Sequence, residues 1–370
     1  MRALLVGPGF TLPGGIQYVG HLMAEALHRI HPSDLELDIV SLLDDGNCPL
    51  RIPVAEWSAS KGTRRAFLRL LRHAIRRAPD VIVVNHVNLL PYLAVAATGL
   101  RTPPVAVIMH GIEAWRPMNA ARRFGLRRVT CMIYVSDFTR RRSVEVNPVL
   151  KRVPARVCHH GLLTETARSA NETGQTTPAR SAPFVLMIGR MASGEQYKGY
   201  EEMIRAWPEI RRHRPELELV LVGGGDDKPR LESIARDISG VSFAGQVSDA
   251  DRDYYMSACE AFALPSRGEG FGLVYLEAMK AGKPVIAGSL DAGAEVIVDG
   301  ATGRAIDPRV EQNVVSAVLE VTSESGSQMG RAGQQRFLEE FTFESYANRF
   351  CAIVQELLTA PARLRESVIR

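Results

Sequence analysis

One segment of the chain indicates its architecture: Gly268-Glu269-Gly270-Phe271-Gly272-Leu273-Val274-Tyr275-Leu276-Glu277-Ala278-Met279-Lys280. It follows an apolar run at 261–264 that is typical of a buried strand, and from Leu273 onward its apolar residues recur at helical spacing. We therefore predict a strand, a glycine loop and a helix. Such a junction directs unpaired backbone N–H groups and the positive end of a helix dipole at one place, which favours phosphate binding.

Two glutamates flank this predicted anion site. Glu269 lies in the loop and Glu277 lies in the helix. If the whole segment were helical, the two carboxylates would stand about 12 Å apart, which is too far for one proton transfer but suits hydroxyl groups at two ends of a ligand. An anion site between two hydroxyl binders describes a nucleotide-diphosphate sugar. The alternative is a capped surface helix with two solvated glutamates, and this segment alone does not decide between them.

The rest of the chain predicts an α/β fold with two domains. Its 370 residues exceed one ordinary core, and short apolar runs alternate with helical periodicity in both halves. Strands are predicted at 2–6, 35–42, 81–85, 105–109, 132–135, 153–158, 184–188, 217–222, 241–243, 261–264 and 284–287, and the main helices at 18–30, 63–77, 199–213 and 344–358. We predict domains at 1–168 (with the C-terminal helix, 344–370) and at 183–343, joined by a polar linker at 169–182.

Composition limits the class of protein. Hydrophobic residues make up 46% of the chain and charged residues 23%, as in soluble globular proteins. No apolar run approaches the roughly 20 residues that cross a bilayer, and the N-terminus lacks a signal-peptide pattern. The five cysteines are scattered without metal-ligand spacing. A reduced, cytoplasmic protein is expected.

The net charge of +4 is distributed unevenly, because residues 1–182 carry +11 and residues 183–370 carry −7. The helix at 63–77 has an apolar stripe on one face and arginines on the other, and further arginines cluster at 122–128 and 140–142. The helix either packs on the core with a solvated basic face or lies near anionic lipid. Zinc spacing and RNA-binding aromatic motifs are missing, so no nucleic-acid partner is predicted.

Two other segments match known functional motifs, but their sequence context argues against those functions. Asp251-Arg252-Asp253 matches the Asp-x-Asp of metal-dependent sugar transferases, but it lies in a polar run where the acids that begin a helix are expected. No metal site is predicted. Gly7-Pro8-Gly9 follows a strand, as in dehydrogenases, but Leu12 occupies the position of the third glycine.

The two glutamates with seven residues between them, together with Gly14-Gly15, His110-Gly111, Arg190 and Lys198, resemble the retaining GT-B glycosyltransferases of family 4. The resemblance covers nearly the whole chain and extends to bacterial enzymes of envelope or exopolysaccharide synthesis. It implies two Rossmann-like β/α/β domains that face each other across a cleft, with the C-terminal helix crossing back to the first domain.

The resemblance also implies roles for residues of the second domain. Glu269 would hold hydroxyls of the donor sugar, helped by the amides of Gly270, Phe271 and Gly272. The amides of Leu273 and Val274 would meet the diphosphate, and Glu277 would bind the ribose.

Further roles follow for residues that lie elsewhere in the chain. Arg190 and Lys198 would neutralise the leaving diphosphate, although the intervening Ser193-Gly194-Glu195-Gln196 makes their spacing loose. Gly14-Gly15 would allow close approach of the first loop, and His110 would lie beside the reacting carbon. The base would be contacted near Gln246-Val247.

The expected activity is retaining transfer of a hexosyl unit from GDP-mannose or a UDP-hexose to a glycan, with neither cofactor nor metal. A lipid-linked acceptor in polysaccharide or lipopolysaccharide synthesis is expected, with the protein bound peripherally to the anionic inner face of the cell membrane. The alternatives are a non-catalytic nucleotide-sugar-binding protein and a transferase with a soluble acceptor.

Overall fold

The computed structural model describes residues 1–11, 14–30, 34–163 and 182–359. The chain divides into two compact units: Met1–Ala167 with Thr342–Arg370, and Arg168–Phe341. Of the predicted linker, residues 169–181 lie outside the described residues, as do residues 360–370, which the sequence analysis assigned to the first domain. Each unit is built on a parallel sheet, so the predicted α/β fold with two Rossmann-like domains is confirmed.

The first unit contains a seven-stranded parallel sheet in the order β3-β2-β1-β4-β5-β6-β7. Its strands are β1 (Arg2–Gly7), β2 (Glu36–Ser41), β3 (Glu56–Ala59), β4 (Val81–Val84), β5 (Val105–Met109), β6 (Cys131–Tyr134) and β7 (Ala155–Val157). The central strands β4, β5 and β6 are fully buried, which explains their continuous apolar runs.

Five helices follow these strands in the first unit: α1 (Gly15–Ile30), α2 (Arg64–Arg76), α3 (Leu90–Ala96), α4 (Ala120–Leu126) and α5 (Asp137–Val146). The apolar stripe of α2 is buried through Phe67, Leu71, Ala74 and Ile75. This stripe therefore belongs to the core, and only the arginine face of α2 meets solvent.

The second unit contains a six-stranded parallel sheet in the order β10-β9-β8-β11-β12-β13. Its strands are β8 (Phe184–Ile188), β9 (Glu218–Val222), β10 (Val241–Gly245), β11 (Ala261–Leu264), β12 (Val285–Gly288) and β13 (Gly303–Ile306). Its helices are α6 (Tyr200–His213), α7 (Lys228–Ala235), α8 (Asp249–Ala258), α9 (Leu273–Lys280), α10 (Gly293–Val296), α11 (Glu311–Val321) and α12 (Glu324–Glu340).

The last helix, α13 (Phe343–Thr359), belongs to the first unit and packs against α1. Thr342 caps its start, because its hydroxyl accepts a hydrogen bond from the Ser345 N–H at 3.1 Å. None of the helices in the described part of the chain is long and apolar enough to cross a bilayer.

The strand order of each sheet reverses direction at one point. In the first unit this point lies between β1 and β4, and in the second it lies between β8 and β11. Ligands of open parallel sheets bind outside the carboxyl ends of the strands at such a switch point. The loops that follow these four strands are therefore the places to look for a site.

Candidate functional site

The switch point of the second unit brings together two of the predicted ligand loops. The loop after β8 carries Arg190 and Lys198, and the loop after β11 carries Glu269. The loops are joined where the Arg267 N–H donates to the Tyr197 carbonyl at 2.9 Å. Gly199 has φ +81°, and a Cβ there would stand only 2.6 Å from the Pro265 carbonyl oxygen. Only glycine permits so close an approach.

Arg190 and Lys198 both contact the carboxylate of Glu195. The Lys198 Nζ lies 2.8 Å from one oxygen of this carboxylate, and the Arg190 guanidinium pairs with the other. A 3₁₀ turn at Ser193–Lys198 folds the loop back, so the loose spacing of the two cations in sequence does not separate them in space. Burial opposes ionisation of Glu195, but the hydrogen bonds from both cations hold its pKa below the ordinary value.

Glu269 is held by a second carboxyl group that the sequence did not indicate. Its backbone N–H donates to Asp291 Oδ2 at 2.7 Å, and the other oxygen of Asp291 accepts from the Gly293 N–H at 2.9 Å. Asp291 is 2% exposed, and burial raises its pKa to about 7. Burial also raises the pKa of Glu269, against the opposing charge of Lys198.

Glu277 lies within α9, whereas Glu269 lies before the helix. Because Gly272 has φ +90° and α9 begins only at Leu273, the separation calculated for one continuous helix does not apply. The Glu277 carboxylate pairs with Arg252 of α8 and is 17% exposed. Glu277 is therefore an engaged, largely buried group rather than a solvated surface glutamate.

The start of α9 supplies the predicted amides. Leu273 and Val274 are the first two residues of this eight-residue helix, so their N–H groups have no acceptor within it. Gly270 and Phe271 precede them in the loop, and Phe271 is buried against Phe341. The helix end and Lys198 thus offer positive charge at the same edge of the sheet.

The loops after β9 and β10 line the same edge. Gly223 has φ +130°, and a Cβ there would stand 2.0 Å from the Gly189 carbonyl oxygen, so β8 and β9 end in tight contact. Gln246 and Val247 follow β10, and the Gln246 side chain lies beside Gly224. Gln246 is exposed at this edge.

The Asp-x-Asp motif begins a helix, as its sequence context predicts. The Ser248 hydroxyl accepts from the Asp251 N–H at 3.1 Å at the start of α8, and the central Arg252 pairs with Glu277. Across residues 1–11, 14–30, 34–163 and 182–359, no group of three His, Cys, Asp or Glu side chains is placed to hold a metal ion.

The switch point of the first unit contains the other predicted residues. Gly14-Gly15 links β1 to α1, and the Gly14 carbonyl accepts from the Tyr18 N–H at 2.9 Å. His110 follows β5, and its Nε2 lies 2.7 Å from the Asn85 carbonyl oxygen after β4. A carbonyl only accepts, so Nε2 carries the hydrogen. The backbone N–H of His110 donates to the Glu113 carboxylate at 2.8 Å.

His110 stands between two further histidines that the sequence analysis missed. Its ring centroid lies 6.1 Å from that of His86 and 6.2 Å from that of His160. Burial lowers the pKa of all three rings, and that of His86 to about 4. The cluster is therefore uncharged at neutral pH. Their common signal in the sequence is a histidine within three residues of the end of a strand.

Asp44, after β2, bears on the dinucleotide alternative. Dehydrogenases use an acidic residue near this position to bind the ribose of the cofactor. Here the Asp44 carboxylate accepts from the Phe10 N–H at 2.7 Å, the Thr11 N–H at 3.1 Å and the Ser41 hydroxyl at 2.7 Å. It is committed to holding the loop after β1, which argues against a ribose ligand.

Each half of the chain matches the model of a known protein family. Residues 13–165 match the model of Glycosyltransferase Family 4, and residues 182–324 match that of Glycosyl transferases group 1. The chain is 28% identical over 264 residues to the GDP-mannose-dependent monoacylated alpha-(1-6)-phosphatidylinositol monomannoside mannosyltransferase of Corynebacterium glutamicum, covering 66% of this chain and 68% of that protein.

Two other relatives cover more of the chain. Glycogen synthase of Mycobacterium tuberculosis is 27% identical over an alignment that spans 94% of this chain and 92% of the synthase. The Anabaena protein HepE, solved in complex with UDP and glucose, superposes with a TM-score of 0.74 at 18% identity over 96% of this chain and 100% of HepE. The likeness to HepE shows that the two proteins share a fold.

Proposed function

We propose that this glycosyltransferase of the GT-B fold is a retaining enzyme that transfers a hexosyl unit from GDP-mannose or a UDP-hexose to a glycan. One observation carries the proposal: the loop with Arg190 and Lys198 and the loop that leads into α9 follow the two strands that flank the switch point of the second sheet. This is where a parallel sheet binds a diphosphate. The names of the mannosyltransferase relative and of the HepE complex supply the two donor types.

In the proposed reaction the bond between the anomeric carbon and the diphosphate oxygen breaks while the acceptor oxygen attacks from the same face. The acceptor's proton passes to the leaving phosphate. Negative charge grows on this phosphate, so Arg190, Lys198 and the amides of Leu273 and Val274 act where charge develops. We propose that these groups make a metal ion unnecessary.

The remaining site residues keep the roles that the family resemblance gives them. Glu269, with Gly270, Phe271 and Gly272, holds hydroxyls of the donor sugar. Its neighbour Asp291 fixes the loop through the Glu269 N–H. Glu277 binds the ribose, which requires Arg252 to share its carboxylate.

Residues outside this loop are assigned in the same way. The backbone near Gln246-Val247 contacts the base. Gly14-Gly15 lets the first loop approach the diphosphate, and His110 serves the reacting carbon as a neutral imidazole, in line with its lowered pKa.

A lipid-linked acceptor and a peripheral position on the inner membrane face are also proposed. The exposed arginines of α2, namely Arg64, Arg65, Arg69 and Arg76, make no ion pair with any residue that the structure describes. The cluster at 140–142 contributes less, because its three arginines pair with Asp137 and Glu145. The phosphatidylinositol substrate in the mannosyltransferase relative's name fits this placement.

Calorimetry with GDP and UDP, beside guanosine and uridine, tests the donor site. Lys198→Ala and Arg190→Ala should each weaken binding of the preferred nucleoside diphosphate by about 10- to 100-fold, because one charge-assisted contact is lost. Binding of the nucleoside alone should stay within about twofold. Equal losses for both ligands would contradict the assignment.

The glycogen synthase relative supports a second acceptor class, a soluble glucan, because it spans nearly the whole chain. Turnover of the accepted donor with glucan or with a lipid-linked glycan separates the two. A protein that binds the donor but never releases nucleoside diphosphate would be a non-catalytic binder instead.

A further inference from the structure

We propose that Glu195 competes with the donor's diphosphate for Arg190 and Lys198, and thereby weakens diphosphate binding and favours release of the product. The inference rests on the proposed function, since it takes these two cations as the diphosphate ligands. It concerns a residue for which the family resemblance gave no role.

The geometry places one carboxylate against both cations. Glu195 Oε2 lies 2.8 Å from Lys198 Nζ, and Oε1 pairs with the Arg190 guanidinium. Glu195 and Lys198 are 16% and 13% exposed, so water screens their attraction poorly. The pair is therefore stronger than a surface ion pair.

The surroundings hold this arrangement in place. Lys198 Nζ lies 3.4 Å from the Arg190 carbonyl and close to Gly189, where a Cβ would stand 3.6 Å from it. Ser193, at the start of the turn, is anchored by its N–H and hydroxyl to Asp226 at 2.9 and 2.6 Å. The turn that carries Glu195 is thus fixed from the neighbouring strand loop.

The negative charges of Glu195 and of a bound diphosphate bring the two into competition for the same cations. Glu195 is ionised at neutral pH because the two cations hold its pKa below the ordinary value. A diphosphate that takes up Arg190 and Lys198 must either displace this carboxylate or share the cations with it, and like charges repel in both cases.

Glu195→Gln tests the proposal, because it keeps the shape of the side chain and removes the charge. By calorimetry, the nucleoside diphosphate that wild type binds should bind the variant about tenfold more tightly, and the matching nucleoside should bind equally well. Glu209→Gln is the matched control. It removes a carboxylate that pairs with Arg212 and His213 on α6, in the same unit.

A double-mutant cycle with Lys198→Met separates competition from a structural effect. The gain in diphosphate affinity from Glu195→Gln should shrink markedly in the Lys198→Met background, since the competition acts through that cation. If Glu195→Gln fails to reach the wild-type thermal midpoint, Glu195→Ala provides the same comparison.

Unchanged or weaker diphosphate binding by a folded Glu195 variant would overturn the proposal and show that the carboxylate organises the cations instead. A gain that persists in full without Lys198 would overturn it as well. If wild type binds neither GDP nor UDP, the donor site itself is wrong, and that result is distinct from the first two.

Discussion

Asp291 is a buried carboxyl group that the fold places against the backbone of the half-buried Glu269. The sequence indicates Glu269 through its glycine loop, but Asp291 stands in a loop without a recognisable motif. Only the pairing of β11 with β12 brings the two loops together. Spacing along the chain does not show which strands are neighbours, so this contact could not be predicted. The contact of Glu195 with Arg190 and Lys198 lies within one loop and depends on the 3₁₀ turn at Ser193–Lys198.

Substitutions of Glu269, in the loop, and of Glu277, in α9, should have different effects on the kinetics. Glu277→Ala should raise the Michaelis constant by about tenfold with little change in turnover, because a ribose contact is the same in ground and transition states. Glu269→Ala should lower turnover by about 100-fold, because it acts next to the breaking bond. Steady-state kinetics with the accepted donor provides the measurement. Unchanged turnover in Glu269→Ala would remove its assigned role.

His86 should make the protein sensitive to acid. Its folded-state pKa is about 4 against an ordinary 6.5, because burial outweighs the attraction of Glu113. Between these values the unfolded chain binds a proton that the folded protein excludes. Stability is thus full above pH 6.5 and falls toward pH 4, by up to about 1.4 kcal/mol per pH unit for this group.

Thermal midpoints between pH 7 and 5 provide the measurement for His86. His86→Gln should flatten the decline, whereas His213→Gln, whose side chain is 56% exposed, should leave it as in wild type. An equally steep decline in His86→Gln would show that the buried imidazole is not the acid-sensitive group.

At the level of elements, the sequence predicted the apolar strands and the strongly periodic helices well, but it missed β3, the short helices α3 and α4, and the longer helices α11 and α12. The last helix was expected at 344–358 and extends over Phe343–Thr359. The strand β3 was missed because Glu56–Ala59 is a half-buried edge strand without an apolar run. The helices α3 and α4, with seven residues each, are too short to show helical periodicity.

The crossing of α3 and α4 depends on one glycine. A Cβ at Gly125 would stand 2.7 Å from backbone and side-chain atoms of Leu90. Gly125→Ala should therefore force the helices apart and destabilise the protein by about 1–3 kcal/mol, measured by urea unfolding. Gly46→Ala is the control, because no atom lies within 4 Å of its added Cβ. Matching stabilities of the two variants would refute the close crossing.

At the level of the whole molecule, the sequence shows the charge difference between the two halves, but it does not show which of the basic residues form ion pairs. The sequence contains three clusters of arginines in its first half. In the structure, the arginines of the cluster at 140–142 form ion pairs with neighbouring acids. The structure also assigns the apolar face of α2 to the core. Any attraction of α2 to a membrane must then be electrostatic.

Replacing Arg64, Arg65, Arg69 and Arg76 together by Gln should release the protein from anionic vesicles at low salt. Each arginine contributes roughly 1 kcal/mol near such a surface, and the attraction fades within a Debye length of about 8 Å at physiological salt. Replacing Arg140, Arg141 and Arg142 by Gln should have a smaller effect, because their charges are already paired. Vesicle sedimentation measures both. Indifference of wild type to anionic lipid would favour a soluble acceptor.

In the proposed reaction the second unit binds a nucleotide-diphosphate sugar, and the sugar is transferred with retention. Proton NMR of the first product formed from GDP-mannose or a UDP-hexose tests both parts of this proposal. We expect release of nucleoside diphosphate and an α-linked product from the α-linked donor, both lost in Lys198→Ala. A β-linked product, or no turnover of either donor type with glucan or lipid-linked acceptors, would contradict it.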